Sequence, residues 1–312
     1  MGSYNIALLG FGYWGKILYR YLREHPHFKI KRIATRHPDK ITIYLPPEIK
    51  KCKPDEAIED EEIDAIVVAT PIVTHYEYIK KSLQNKKNIF AEKPTTLKYN
   101  EAVALKKLSE EQDRILFTDY IFTFSPSVQK MVQMIKEGRI GNIRSMIFQV
   151  RQLGHFSDDV YWDLGSHILS IVDLLYPLDK LKFRKKDMIQ RDGVTETGII
   201  NFSDPRHNNF TGAILLSFNH PQKERNMAIY GNGGTLVFDM ARETPLSACN
   251  YKVDREKTRN PINRKDEYFE FDEHNTVKNV INGFYQCLAG RKETNIDSAI
   301  RITRVLEELD TE

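Results

Sequence analysis

Six residues near the amino terminus, Gly10-Phe11-Gly12-Tyr13-Trp14-Gly15, have the G-x-G-x-x-G spacing of a loop that cradles a pyrophosphate. Glycines there allow a tight turn and let backbone N–H groups approach the anion, while the positive end of the following helix adds to the attraction. The spacing alone is a weak signal, because glycines are common in turns. Here it follows the β-branched and apolar run Tyr4 to Leu9 and precedes a helical pattern, and that context predicts a dinucleotide site. About 20 residues on, where NAD sites place a carboxylate on the ribose 2′-hydroxyl, the chain reads Ala34-Thr35-Arg36-His37. With no carboxylate to repel a 2′-phosphate and a guanidinium able to pair with it, NADP is favoured over NAD; the alternative for Arg36 is a solvated side chain on a loop.

Two further segments end strands where open α/β sheets bind ligands: Val68-Ala69-Thr70-Pro71, followed by His75, and Ala91-Glu92-Lys93-Pro94. Glu92-Lys93 taken alone reads as an exposed charge pair, and its place at a strand's carboxyl end gives it chemical interest. In the second half, Trp162-Asp163-Leu164-Gly165-Ser166-His167 opens an apolar helical pattern through Ile168, Ile171 and Leu175. Asp163 and His167 are four apart and share one helix face. The structural alternative is an acidic residue favouring the helix dipole, with a packed or surface histidine one turn later. A metal site would need a third ligand, which the local spacing does not supply. Tyr76 and Lys80 have the Tyr-x-x-x-Lys spacing of short-chain dehydrogenases, but they fall too early in the chain and suit an exposed helix face.

The elements that must position these residues follow from patterning. Tyr4 to Leu9, Lys29 to Ala34, Ile63 to Ala69, Asn88 to Ala91 and Ile115 to Thr118 read as strands, alternating with helices over Lys16 to Glu24, His75 to Asn85 and Tyr99 to Asp113. That alternation predicts a doubly wound α/β domain over residues 1–122. Residues 123–312 read as an α+β domain: a helix capped by Ser125-Pro126, a mostly antiparallel open sheet, and helices over Val277 to Leu288 and Asp297 to Leu309. The charged stretch Asp254 to Asp272 has no clear pattern. Of 312 residues 41% are apolar and 29% charged, and the net charge of +3 argues against a nucleic-acid surface. Cys52, Cys249 and Cys287 form no C-x-x-C pair, so neither a disulfide framework nor a zinc site is expected. The longest apolar run, Ala65 to Val73, is too short to cross a membrane, and a soluble, cytoplasmic protein is expected.

Taken in order, these motifs resemble the Gfo/Idh/MocA oxidoreductase family. The resemblance is carried by the glycine loop, Ala69-Thr70-Pro71 with His75, Glu92-Lys93-Pro94, the helix from Pro126 ending in Gly138-Arg139-Ile140-Gly141, Asp163-x-Gly165-x-His167, and Tyr230-Gly231 with Gly234-Thr235-Leu236. It implies a Rossmann domain, a second domain whose open sheet assembles a homodimer or homotetramer, and pyridine-nucleotide-dependent oxidation or reduction of a sugar or polyol. It also implies that Lys93, Asp163 and His167 are catalytic and touch substrate together with Arg151, while Gly10, Gly12, Tyr13, Trp14, Gly15, Thr35, Arg36, Thr70, Pro71, His75, Glu92 and Lys93 hold the dinucleotide. His155, Asp158, Asp159 and Tyr161 are further pocket candidates. Gly-Tyr-Trp-Gly, Thr70-Pro71 with Thr74-His75-Tyr76, and Trp162-Asp163-Leu164 look nearest to members acting on nucleotide-linked sugars. The chain lacks their longer Arg-rich segment before Trp162, having only Arg151, which counts against a diphosphate-bearing substrate. Two other readings of the same fold are a sugar-sensing regulator that binds dinucleotide without turnover, and a glycosidase that works by transient oxidation.

Overall fold

Six short strands form one sheet: β1 (Tyr4–Leu9), β2 (Phe28–Ala34), β3 (Lys50–Cys52), β4 (Ala65–Val68), β5 (Asn88–Glu92) and β6 (Leu116–Asp119). Their order is β3-β2-β1-β4-β5-β6, and every neighbouring pair is parallel. Parallel neighbours require crossovers, supplied in part by α1 (Tyr13–Glu24), α2 (Pro54–Glu59), α3 (His75–Gln84) and α4 (Tyr99–Glu111). All four residues of β4 and of β6 are buried, as in a sheet covered on both faces. On α1, Gly15, Leu18, Tyr19 and Leu22 form the buried stripe. Strand order reverses between β1 and β4, so the crevice outside their carboxyl ends is the natural ligand position. The computed structural model describes residues 2–154, 159–206, 210–252 and 262–311; His155 and Asp158 lie outside them, as does part of the charged stretch Asp254 to Asp272.

The second unit is built on an eight-stranded sheet. After α5 (Pro126–Lys136), whose Ser125 cap accepts from Val128 N, come β7 (Ile143–Leu153) and α6 (Ser166–Leu175). There follow β8 (Lys182–Arg191), β9 (Val194–Ser203), β10 (Thr211–Ser217), β11 (Asn219–Gly231), β12 (Gly234–Asp239), β13 (Leu246–Lys252) and β14 (Ile262–Phe269). The order is β14-β13-β12-β11-β7-β10-β9-β8, antiparallel throughout except for the β10–β7 pair. Alternation gives the sheet two faces. Met146, Phe148, Val150, Leu216, Met227 and Ile229 point to a buried inner face, whereas Ile147 and Tyr230 point to an exposed outer one. The turn that leads into α6 packs on the inner face so closely that a Cβ on Gly198 would lie 1.9 Å from the Tyr161 hydroxyl oxygen.

Two terminal helices, α7 (Thr276–Leu288) and α8 (Ile296–Asp310), complete the chain. The first compact unit is Met1–Phe124 with Asn275–Glu307, and the second is Ser125–His274 with Glu308–Glu312. A second domain running from 123 to 312 therefore gives up most of its last two helices to the first unit. The reason is hydrophobic: α7 buries Val280, Ile281 and Phe284 in the same core as Phe28, Phe90 and Phe117. The Phe284 ring lies 5.6 Å from that of Phe90 and 5.8 Å from that of Phe117.

Candidate active site

In the first unit the glycine loop joins β1 to α1. Gly10 has φ +93°, and a Cβ there would lie 2.2 Å from the Ala69 carbonyl oxygen; one on Gly15 would lie 2.3 Å from the Gly10 carbonyl oxygen. Both positions demand glycine by close approach. Gly12 differs, since a Cβ there meets nothing within 4 Å. Gly12 caps α1 without a side-chain hydrogen bond, and the first turn contains no acidic residue. An open helix N-terminus of this kind fits a dinucleotide pyrophosphate. Tyr13 stands 82% exposed beside it, and Trp14 packs against the core.

The turn after β2 places Thr35 near the same loop, with the His37 N–H donating to Thr35 Oγ1 (3.2 Å). A hollow of about 160 Å³ lies there, lined by Phe11, Lys16, Thr35, His37 and Lys40 among others. Arg36 is exposed on the turn itself. Lys16 and Lys40 are additions that the sequence pattern did not single out. The next loop holds Thr70 and Pro71: Thr74 Oγ1 donates to the Pro71 carbonyl (2.7 Å) and lies 2.8 Å from Thr70 Oγ1.

His75 is 1% exposed, with Nδ1 at 3.0 Å from the Pro94 carbonyl and Nε2 at 2.9 Å from that of Thr70. Burial pushes its pKa down, against the pull of both carbonyls. A neutral ring has one N–H and donates to one of the two carbonyls; a bond to Pro94 joins α3 to the loop after β5, and a bond to Thr70 holds the loop after β4. That second loop carries Lys93 and Pro94, joined by a cis peptide. Glu92 ends β5 and is paired in register with Asp119, the last residue of β6. Burial drives the pKa of both carboxyls upward, and the neighbouring Asp119 charge drives Glu92 further. Asp119 was missed in the sequence because the strand was expected to stop at Thr118.

In the second unit, Asp163 lies in a π-helical turn, Tyr161–Gly165, which runs directly into α6. His167 is in the first turn of α6, and its carbonyl accepts from Ser170 Oγ (2.6 Å). Both side chains are half-buried. Arg225 on β11 faces the inner side, opposite Val150 of β7. Burial pushes its guanidinium pKa down while the Asp163 carboxylate holds it up, so Arg225 joins the Asp163 neighbourhood. Arg151 is paired in register with Glu224 and lies on the outer face. Its Nε and Nη2 donate to Glu224 Oε2 at 3.1 and 2.5 Å. Tyr161 donates its hydroxyl to Asp187 (2.9 Å), and Asp159 accepts from the Tyr161 and Thr195 backbone N–H groups (2.8 and 3.3 Å). These last two residues brace the turn that presents Asp163.

Comparison with known proteins adds three findings. Residues 4–120 match the model of the oxidoreductase family with an NAD-binding Rossmann fold. The 2,7-anhydro-N-acetylneuraminate hydratase of Escherichia coli (strain K12) is 31% identical over 141 residues, 45% of this chain and 38% of that protein; the chain thus spans about two fifths of the length of this curated relative. Two solved structures share the fold over nearly the full length. A 3-ketoreductase from Actinomadura kijaniata, in complex with TDP-benzene and NADP, has a TM-score of 0.82 at 18% identity, covering 99% of this chain and 98% of that one. The UDP-N-acetylglucosamine 3-dehydrogenase of Acidithiobacillus ferrooxidans has a TM-score of 0.83 at 16% identity, covering 100% and 97%. No described helix is long and apolar enough to cross a membrane.

Proposed function

We propose that the chain, whose residues 4–120 match the oxidoreductase family model, is a Gfo/Idh/MocA oxidoreductase that transfers hydride between a nicotinamide dinucleotide and a hydroxyl-bearing or keto carbon of a sugar, polyol or sugar derivative. The observation that carries this reading is the open, uncapped N-terminus of α1 at Gly12, on the same sheet edge as Lys93. When bound, the dinucleotide supplies the hydride donor or acceptor. His167 takes the proton of the substrate hydroxyl during oxidation and returns it during reduction, a task suited to a side chain whose ordinary pKa is about 6.5. Lys93 donates a hydrogen bond to the reacting oxygen and stabilises the charge that develops there. Asp163 orients the substrate hydroxyl or the imidazole, and Arg225, not the outer-face Arg151, is the guanidinium on its side of the sheet.

NADP is the favoured dinucleotide. Lys16, His37 and Lys40 line the hollow after β2, Arg36 is exposed on the same turn, and none of the lining residues is a carboxylate that would oppose a 2′-phosphate. The outer face of the second unit's sheet is the surface offered to a second copy of the chain.

Titrating cofactor-free protein with NADPH and with NADH by tryptophan energy transfer, then screening sugars with wild type, Lys93→Ala and His167→Ala, tests the assignment. Each variant is expected to lose about two to four decades of turnover while keeping nucleotide affinity within a few-fold. Failure of both nucleotides to bind removes the oxidoreductase reading. Ordinary turnover in either variant removes the role given to that residue, and nucleotide binding with no turnover on any sugar points to a regulator.

A further inference from the structure

Glu92 and Asp119 end adjacent parallel strands in register, about 4.8 Å apart at their backbones. Asp119 is 1% exposed. Both of its carboxyl oxygens, and Oε1 of Glu92, are buried without a hydrogen-bond donor from the described residues, and the indole Nε1 of Trp14 is buried without an acceptor. Trp14 comes from the glycine loop, and its N–H faces the two carboxyls without closing a full bond to either. Three acceptor oxygens lacking a donor, at the edge where the dinucleotide is expected, form a deficit that a native fold does not carry without a reason.

Two ionised carboxylates cannot occupy this space together. A single proton between them removes most of the deficit, because a protonated Glu92 Oε1 becomes a donor and supplies one of the two Asp119 oxygens with the partner it lacks. The pair then retains one negative charge. The groups that face it are the Lys93 ammonium from the adjoining loop, the Trp14 indole from α1 and the Ile121 backbone N–H beyond β6. His75, on α3, is turned to the carbonyls of Thr70 and Pro94.

We propose that Glu92 and Asp119 share one proton, and that Asp119 is a positioning residue whose charge fixes Trp14 of the glycine loop and Lys93 beside it. The arrangement couples two loops of the first unit: the loop that would hold the pyrophosphate and the loop that presents Lys93. The geometric argument stands on this unit alone, and its catalytic meaning rests on the proposed function.

Trp14 is the natural reporter. In a Trp162→Phe protein it is the single tryptophan, and its emission is followed across about pH 5 to 8 without nucleotide or substrate. One transition is expected near pH 6, where the second proton leaves the pair, and it is expected to vanish when Asp119→Asn is added. Glu92→Gln, which keeps the shape and leaves Asp119 to titrate alone, is expected to move the transition to lower pH, because the Gln amide can donate to the Asp119 carboxylate, and it serves if Asp119→Asn fails to fold. A flat profile in the parent overturns the proposal, as does a transition that survives Asp119→Asn or that Glu92→Gln leaves unmoved. Because no turnover is read, a clean transition in a protein that oxidises no sugar upholds the pair and sinks only the oxidoreductase reading.

Discussion

Arg36 and Lys40 stand on the turn after β2, and their chemistry is separable from that of Lys16 beside the glycine loop. A charge-assisted hydrogen bond to a phosphate contributes about 1.5–3 kcal/mol, and about 1.4 kcal/mol is a factor of ten in affinity. Arg36→Ala and Lys40→Ala are therefore each expected to weaken NADPH binding about tenfold or more while leaving NADH within about twofold. Parallel titrations with the two nucleotides measure this, and equal losses for both would show that the turn holds something other than a 2′-phosphate. Single residues were unevenly legible in the sequence. Gly10 and Gly15 were read from spacing, and the structure gives each a backbone contact that excludes a side chain. Arg151 and Arg225 are both arginines on strands, and only the β7–β11 register separates the one bonded to Glu224 from the one near Asp163. Asp119 carried the same strand-end signal as Glu92, hidden by one residue of strand length.

Elements were legible where burial imposed a pattern and illegible where it did not. β1, β4 and the buried stripe of α1 are apolar because both faces of their sheet are covered. β3 is only Lys-Lys-Cys at a sheet edge, while β8 and β14 are the charged edges of the second sheet. Edge strands are charged to discourage further pairing, and that same charge conceals them from a search for apolar alternation. α7 presents the opposite case: its helical pattern was evident, but its destination was not. Phe284 is fully buried among Phe28, Phe90 and Phe117. Phe284→Ala is expected to cost about 3–5 kcal/mol, the range for deleting a core aromatic ring. Denaturant unfolding followed by circular dichroism checks it. A loss below about 1 kcal/mol would mean that α7 is an ornament on the first unit and not part of its core.

For the whole molecule, the distribution of charge disfavours association at the β8 edge of the second unit's sheet and leaves a face of that sheet as the surface we propose for a second copy. The net charge of +3 over 312 residues leaves little long-range repulsion between copies. In the second unit, β8 closes one edge with Lys182, Arg184, Lys185, Lys186 and Arg191, so a second sheet cannot readily add there. The outer face instead carries Ile147, Tyr230 and Tyr268, exposed at 47%, 38% and 59%. Closed homo-oligomers use self-complementary patches, and a stable one needs about 800 Å² from each partner. A sheet face of several strands can provide that area, whereas a single edge cannot. Sedimentation is accordingly expected to show a dimer or tetramer, and Ile147→Lys combined with Tyr230→Lys is expected to yield a smaller species with an unchanged circular dichroism spectrum. A monomeric wild type would remove the face from consideration. An assembly that survives both lysines would move the interface elsewhere, because two buried, unpaired ammonium groups at the centre of a face-to-face contact cost more than such a contact can offset.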